Sequence, residues 1–146
     1  MLISTALTAQ LEPQLVEQRL LSDREHRTAE RALGRPLGSA IIGSRQTANG
    51  ALHRPDFVLV GSGEGVIAIE VELTLKERAR LERILRGYVR NRNVEAIRYY
   101  APPDIAQAVQ RAARVVGAER LLEIAPLPVA CIPQRGARAR SDGSRT

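Results

Sequence analysis

The chain has little of several residues that carry familiar chemistry. Among 146 residues there is one cysteine, Cys131, one phenylalanine, no tryptophan and a single lysine, Lys76. A lone cysteine excludes an internal disulfide, and no thiolate metal pattern surrounds it, so a reducing cytoplasm is the expected home. Only two histidines occur, His26 and His53, too few and too far apart for a zinc site. With 3% aromatic residues, the core has to be built from aliphatic side chains and alanine. No apolar run approaches the roughly 20 residues of a membrane-spanning helix. The opening MLISTALTAQLEPQLVEQ has no basic leader and meets glutamates after a short apolar run, so no signal peptide is expected. The run GSGEG lacks the lysine and Ser/Thr of a phosphate-binding loop and reads as a turn. No Ser-His-Asp arrangement and no internal repeat can be argued.

What is abundant is arginine. Of 22 cationic residues all but Lys76 are arginine, and the formal charge is +6. Guanidinium groups suit bidentate contact with phosphate, which points to nucleic acid; a codon bias toward arginine is the competing explanation. The length suits one domain with one core, and 44% apolar content supports a folded body.

The densest chemistry lies between His53 and Lys76, HRPDFVLVGSGEGVIAIEVELTLK. Val58 to Val60 and Val66 to Val71 are β-branched and apolar, with a glycine-rich reversal between them, so they form an antiparallel hairpin. A symmetric closure sets Val60 opposite Val66 and Asp56 opposite Glu70. Side chains alternate along a strand, so Glu72 shares the face of Glu70, while Phe57, Leu59, Ile67, Ile69, Val71 and Leu73 take the other as core. Acids crowded on a largely apolar face lose hydration and repel one another unless a cation neutralises them. A hard ion, Mg²⁺ or Mn²⁺, held by one or two carboxylates with water and phosphate, is the expected occupant. The alternative is a turn residue at Asp56 and glutamates paired with arginine at a sheet edge.

Beyond the hairpin, a helix is expected from Leu75 to Asn91. Leu81, Ile84, Leu85 and Tyr88 form its apolar stripe, and Lys76, Arg80, Arg83 and Arg90 fall along a different face. Such a row can follow a phosphate backbone; alternatively it is a solvated face with Glu82 paired to Arg86. Arg54, beside His53, is a further candidate DNA contact.

The ordered set HRPDFVLV, then IAIEVELTLKERARLERILRGY, then IRYYAPPDIAQAVQRAA resembles the PD-(D/E)XK nuclease superfamily, and more narrowly the nuclease-like domain of bacterial plasmid replication-relaxation proteins. The resemblance covers about residues 20–128. It implies a restriction-endonuclease-like αβββαβ core, a mixed central sheet flanked by helices. It implies Asp56 and Glu70 as metal ligands and DNA as the substrate. Glu72 stands where the superfamily usually has lysine. Either Glu72 is the base, or Lys76 reaches in from the next helix, or chemistry has been lost and binding kept. The superfamily's first acid usually comes from a preceding helix, which makes Asp23, Glu25 and Glu30 candidates; Glu25 is preferred, with a capping role as its other reading. The residues before His53 are too few for the winged helix that many such proteins carry, so target choice would fall to a homodimer or to a replication or mobilisation partner.

The remaining pattern gives N-terminal helices within 1–33, a core over 34–128, with the helix over 23–33 assigned either to the former or to this core, and a basic, disordered tail over 129–146. A helix is expected over residues 8–21, with Pro13 in its first turn. Ser22 and Glu25 form a capping box for a surface helix that Gly34 ends. Residues 34–50 form either a first strand and turn or a mobile loop over the site. Ala96 to Ala101 reads as a strand, Pro102-Pro103-Asp104 opens a helix with Ile105, Val109, Ala112 and Val116 buried, Gly117 closes it, and Leu121 to Ala125 is a last strand. Two functional classes follow: a Mg²⁺-dependent deoxyribonuclease, or a non-catalytic DNA-binding or protein-docking module on the same fold. An α/β interaction domain unrelated to nucleic acid is the third.

Overall fold

The structure is a computed structural model that describes residues 18–43, 52–61, 63 and 65–128. In chain order its elements are β1 (Arg19–Ser22), α1 (Asp23–Leu33), β2 (Ala40–Ile41), β3 (Leu52–His53), β4 (Phe57–Val60), β5 (Val66–Val71), α2 (Arg78–Arg90), β6 (Val94–Tyr100), α3 (Pro103–Val116) and β7 (Leu122–Ala125). Five strands form a mixed sheet in the order β1-β4-β5-β6-β7, and β2 pairs with β3 in a separate ribbon. The pairs β1–β4 and β4–β5 are antiparallel, whereas β5–β6 and β6–β7 are parallel. The parallel pairs are joined through α2 and α3, as parallel neighbours require.

The hairpin has the expected register, Phe57 opposite Ile69, Val58 opposite Ala68 and Val60 opposite Val66. The assignment of faces needs correction. The acid-bearing face is the principal core: Val58, Val66 and Ala68 lie in one cluster with Leu81, Ile84, Leu85 and Tyr88 of α2 and Ile105, Val109 and Ala112 of α3. Leu59, Ile69 and Tyr100 form a second, smaller cluster on the other side. A strand joined to its parallel neighbour by a crossover helix is buried on both faces, so apolar alternation alone does not mark the core side.

Residues 19–22, expected to end a helix, are a strand. Ser22 is the N-cap of α1 with extended backbone, φ −68° and ψ 167°, so the residues before it run straight into the sheet; Leu21 is buried in the main cluster and Leu20 packs against the second. The expected helix over residues 8–17 and the tail 129–146 lie outside the described residues, as do 44–51. The capping box is present, with Ser22 Oγ accepting from the Glu25 amide and Glu25 accepting from the Ser22 amide, and Gly34 and Gly117 close α1 and α3 with φ of 68° and 73°. Only glycine adopts those angles without penalty. Helix α2 starts at Arg78, later than Leu75, and its N-cap Glu77 makes no side-chain cap. Its pairing at i,i+4 is Arg78 Nε to Glu82 Oε1 at 2.9 Å, one turn before the expected Glu82–Arg86 contact.

Helix α2 also lies against β2. A Cβ on Gly87 would stand 2.9 Å from Ala40 Cβ and 3.0 Å from the Ile41 backbone N and O. This close approach anchors the β2–β3 ribbon, and Arg90 Nη1 adds a long contact to the Ile41 carbonyl at 3.4 Å. Through the ribbon, His53 is carried over the acid-bearing end of the sheet.

Candidate active site at the carboxyl end of β5

Glu70 lies near the end of β5, Glu72 just beyond it, and Asp56 just before β4, so the antiparallel pairing gathers the three acids at one end of the sheet. Both glutamates are buried. Taking two carboxylates out of water needs donors to compensate. For Glu70 these are the Tyr88 hydroxyl, 2.5 Å from Oε1, and His53 Nε2, 2.6 Å from the same oxygen. A carboxylate only accepts, so Nε2 carries the proton in this contact. The His53 and Tyr88 rings meet edge to face with centroids 6.1 Å apart. Glu72 Oε2 accepts from Lys76 Nζ, the chain's only lysine.

Asp56 Oδ2 accepts from the Val71 amide at 2.7 Å. Asp56 is exposed as a residue, but partial desolvation of its carboxyl raises its pKa, the Val71 amide lowers it, Glu70 raises it, Lys76 lowers it and Glu72 raises it; the net direction is upward. Burial, and after it the same acids, hold the Tyr88 and Tyr99 phenols well above their ordinary range, so both remain protonated. Asp56, Glu70, Glu72 and Lys76 therefore form one interacting set.

The other sequence candidates fall elsewhere. Glu25 is exposed on α1, held by Ser22 and by Arg19 at 3.3 Å, and its pKa is lowered, chiefly by the Ser22 amide. Asp23 pairs with Arg27 on the same surface. Glu30 is buried: it accepts from the Leu37 amide at 2.6 Å and the Ser39 hydroxyl at 2.8 Å, and lies 3.3 Å from His26 Nε2. Arg54 Nε approaches Glu30 Oε1 at 3.8 Å, which links the α1 network to the segment carrying His53 and Asp56. Helix α1 is thus anchored through His26 and Glu30. Arg80 and Arg83 are exposed on α2 with no ion-pair partner among the described residues, while Arg90 leans on β2.

No protein-family model, curated protein or solved structure matches the chain. The site is therefore read from its own geometry. Among the described residues no group of three or more His, Cys, Asp or Glu side chains is placed to hold a metal ion. A pair of carboxylates is a different matter. Glu70 Oε1 and Asp56 Oδ2 are committed to donors, whereas Glu70 Oε2 and Asp56 Oδ1 accept no hydrogen bond among the described residues. These two oxygens, with water, are the atoms on which a hard divalent cation at the pair would have to rest.

The contacts of Tyr88 and His53 with Glu70 escaped the sequence reading. Tyr88 stood in the apolar stripe of α2; its hydroxyl was the available signal, because a buried phenol needs a partner. His53 belongs to a two-residue strand whose pairing with β2 has no local signature.

Proposed function

We propose that this chain is a DNA-acting domain of the PD-(D/E)XK type that hydrolyses phosphodiester bonds with Mg²⁺ or Mn²⁺. The observation that carries the reading is the interacting set Asp56, Glu70, Glu72 and Lys76, with the lysine ammonium on Glu72 although lysine is missing from the expected strand position. Lys76 supplies from the approach to α2 the positive charge that the superfamily pattern takes from the strand. Asp56 and Glu70 would hold the metal, with Glu70 fixed in place by Tyr88 and His53. Such an ion lowers the pKa of bound water and offsets charge on the scissile phosphate. Glu72 would orient the attacking water and accept its proton, and Lys76 would face the phosphate oxygens. Arg80 and Arg83 are exposed cations with no ion-pair partner among the described residues, on the helix that follows the site, suited to the phosphate backbone.

A second reading rests on a specific observation. Glu70 Oε1 is already occupied by two donors and Glu72 by Lys76, so much of the acid charge is neutralised by the protein itself, as a binding module that had lost chemistry would require. Calorimetric titration of Mg²⁺ and Mn²⁺ into wild type, Asp56→Ala and Lys76→Ala, with plasmid cleavage followed in the same samples, separates the two. Metal binding and cleavage lost together in Asp56→Ala, with cleavage but not metal binding lost in Lys76→Ala, is the result expected of a nuclease. Salt-sensitive DNA binding that survives Asp56→Ala, without metal uptake, would leave only the binding module.

A further inference from the structure

Away from the carboxylates, α2 and α3 enclose an open groove of about 620 Å³. It is lined by aliphatic side chains, among them Leu75, Leu81, Ala112 and Val115, and by cationic ones, Lys76, Arg78, Arg111 and Arg114, with no acidic side chain in the lining. Lys76 is paired with Glu72 and Arg78 with Glu82. Arg111 and Arg114 have no ion-pair partner among the described residues. Leu75 and Val115 are 67% and 54% exposed, and they are two of only four large apolar side chains that the described residues leave exposed. Their coincidence in one concave site with unpaired guanidinium groups marks a recognition surface.

We infer that this groove docks an acidic amphipathic helix of a partner protein, apolar side chains down on Leu75 and Val115 and carboxylates against Arg111 and Arg114. Three properties favour that occupant. The charge is of one sign, so a second copy presenting the same groove would set arginine against arginine, and the chain's own C-terminal sequence, GARARSDGSRT, carries an excess of the same charge. Nucleobases are held on single-strand surfaces chiefly by stacking on aromatic rings, and no aromatic side chain lines this groove. A groove that combines aliphatic and cationic lining accepts an amphipathic helix with apolar anchors at i, i+3, i+4 and i+7. The inference does not depend on whether the carboxylate site cleaves DNA.

The test is fluorescence anisotropy with a labelled peptide of about 18 residues, leucine at those helical positions and glutamate elsewhere. A scrambled peptide of equal composition is the control, and an oligo-dT of similar charge is the competitor. Wild type should bind the amphipathic peptide at least about tenfold tighter than the scrambled one. Leu75→Ser and Val115→Ser should each erase that preference, and the double variant Arg111→Glu/Arg114→Glu should weaken binding by a similar factor. The substituted side chains are on the surface, and the apolar and charge variants report independently. Equal affinity for both peptides, absence of binding, or binding unaffected by Val115→Ser and displaced by oligo-dT would each overturn the inference, the last by assigning the groove to nucleic acid.

Discussion

Tyr88→Phe isolates the hydrogen bond that holds Glu70. The substitution keeps the ring, so the buried apolar contacts with α2's neighbours persist and no cavity opens. What disappears is the hydroxyl that donates to Glu70 Oε1 at 2.5 Å in a buried setting. A hydrogen bond to a charged group contributes about 1.5–3 kcal/mol. Because His53 still donates to the same oxygen at 2.6 Å, Glu70 is left partly satisfied, which places the loss near the middle of that range, about 2 kcal/mol. With a urea dependence of about 2 kcal/mol per molar, the unfolding midpoint should fall by about 1 M. The same change made in a Glu70→Gln background should cost markedly less, since the charge that strengthened the bond is gone. A midpoint shift under about 0.2 M, or an equal loss in both backgrounds, would refute the claim that Tyr88 acts by compensating a buried carboxylate.

Gly87→Ala should destabilise the protein by about 1–3 kcal/mol through overpacking, despite alanine's better helix propensity, because the new Cβ meets Ala40 Cβ and the Ile41 backbone; thermal unfolding reads this directly. Glu30→Gln should lower stability at neutral pH and lose that effect in acid. Burial raises the Glu30 pKa, but contacts with His26, the Ser39 hydroxyl and the Leu37 amide together outweigh it, and the net shift is downward from 4.5. Its stabilisation is therefore present above that value and fades as pH falls through the lower folded-state pKa; urea titrations at a series of pH values check the sign. Asp56→Asn should have the opposite sign, raising stability at neutral pH while abolishing metal uptake.

The local chemistry of the chain was legible where one short segment decides it. The Ser22–Glu25 capping box, the αL glycines Gly34 and Gly117, and the hairpin register around Val60 and Val66 all follow from residues that touch one another in sequence or across one turn. What could not be read depends on long-range pairing. Arg19 to Ser22 reads as part of a leucine-spaced helix until β4 is present to pair with it, and the face on which α2 and α3 settle is not encoded in the alternation of β4 and β5. For the site, Asp56, Glu70 and Glu72 could be grouped from strand geometry. His53 reaches Glu70 from β3, whose partner β2 packs on α2 at Gly87, a dependence that spans four elements.

That difference also explains why Asp56 is the informative residue of the set. Glu70 is answered by Tyr88 and His53, and Glu72 by Lys76, whereas for Asp56 the Val71 amide and the more distant charge of Lys76 are outweighed by burial and two neighbouring acids. The net effect raises its pKa, so the folded state takes up a proton more readily than the unfolded chain. As pH rises through that raised value, ionisation costs stability. Asparagine keeps an oxygen for the Val71 amide and removes the charge, so the gain from Asp56→Asn should be present at neutral pH and vanish in acid below the ordinary carboxyl value of 3.8. A divalent cation would relieve the same repulsion in wild type: added Mg²⁺ should stabilise wild type and leave the asparagine variant unchanged. If Mg²⁺ stabilises both equally, or neither, Asp56 is not held ionised for a metal.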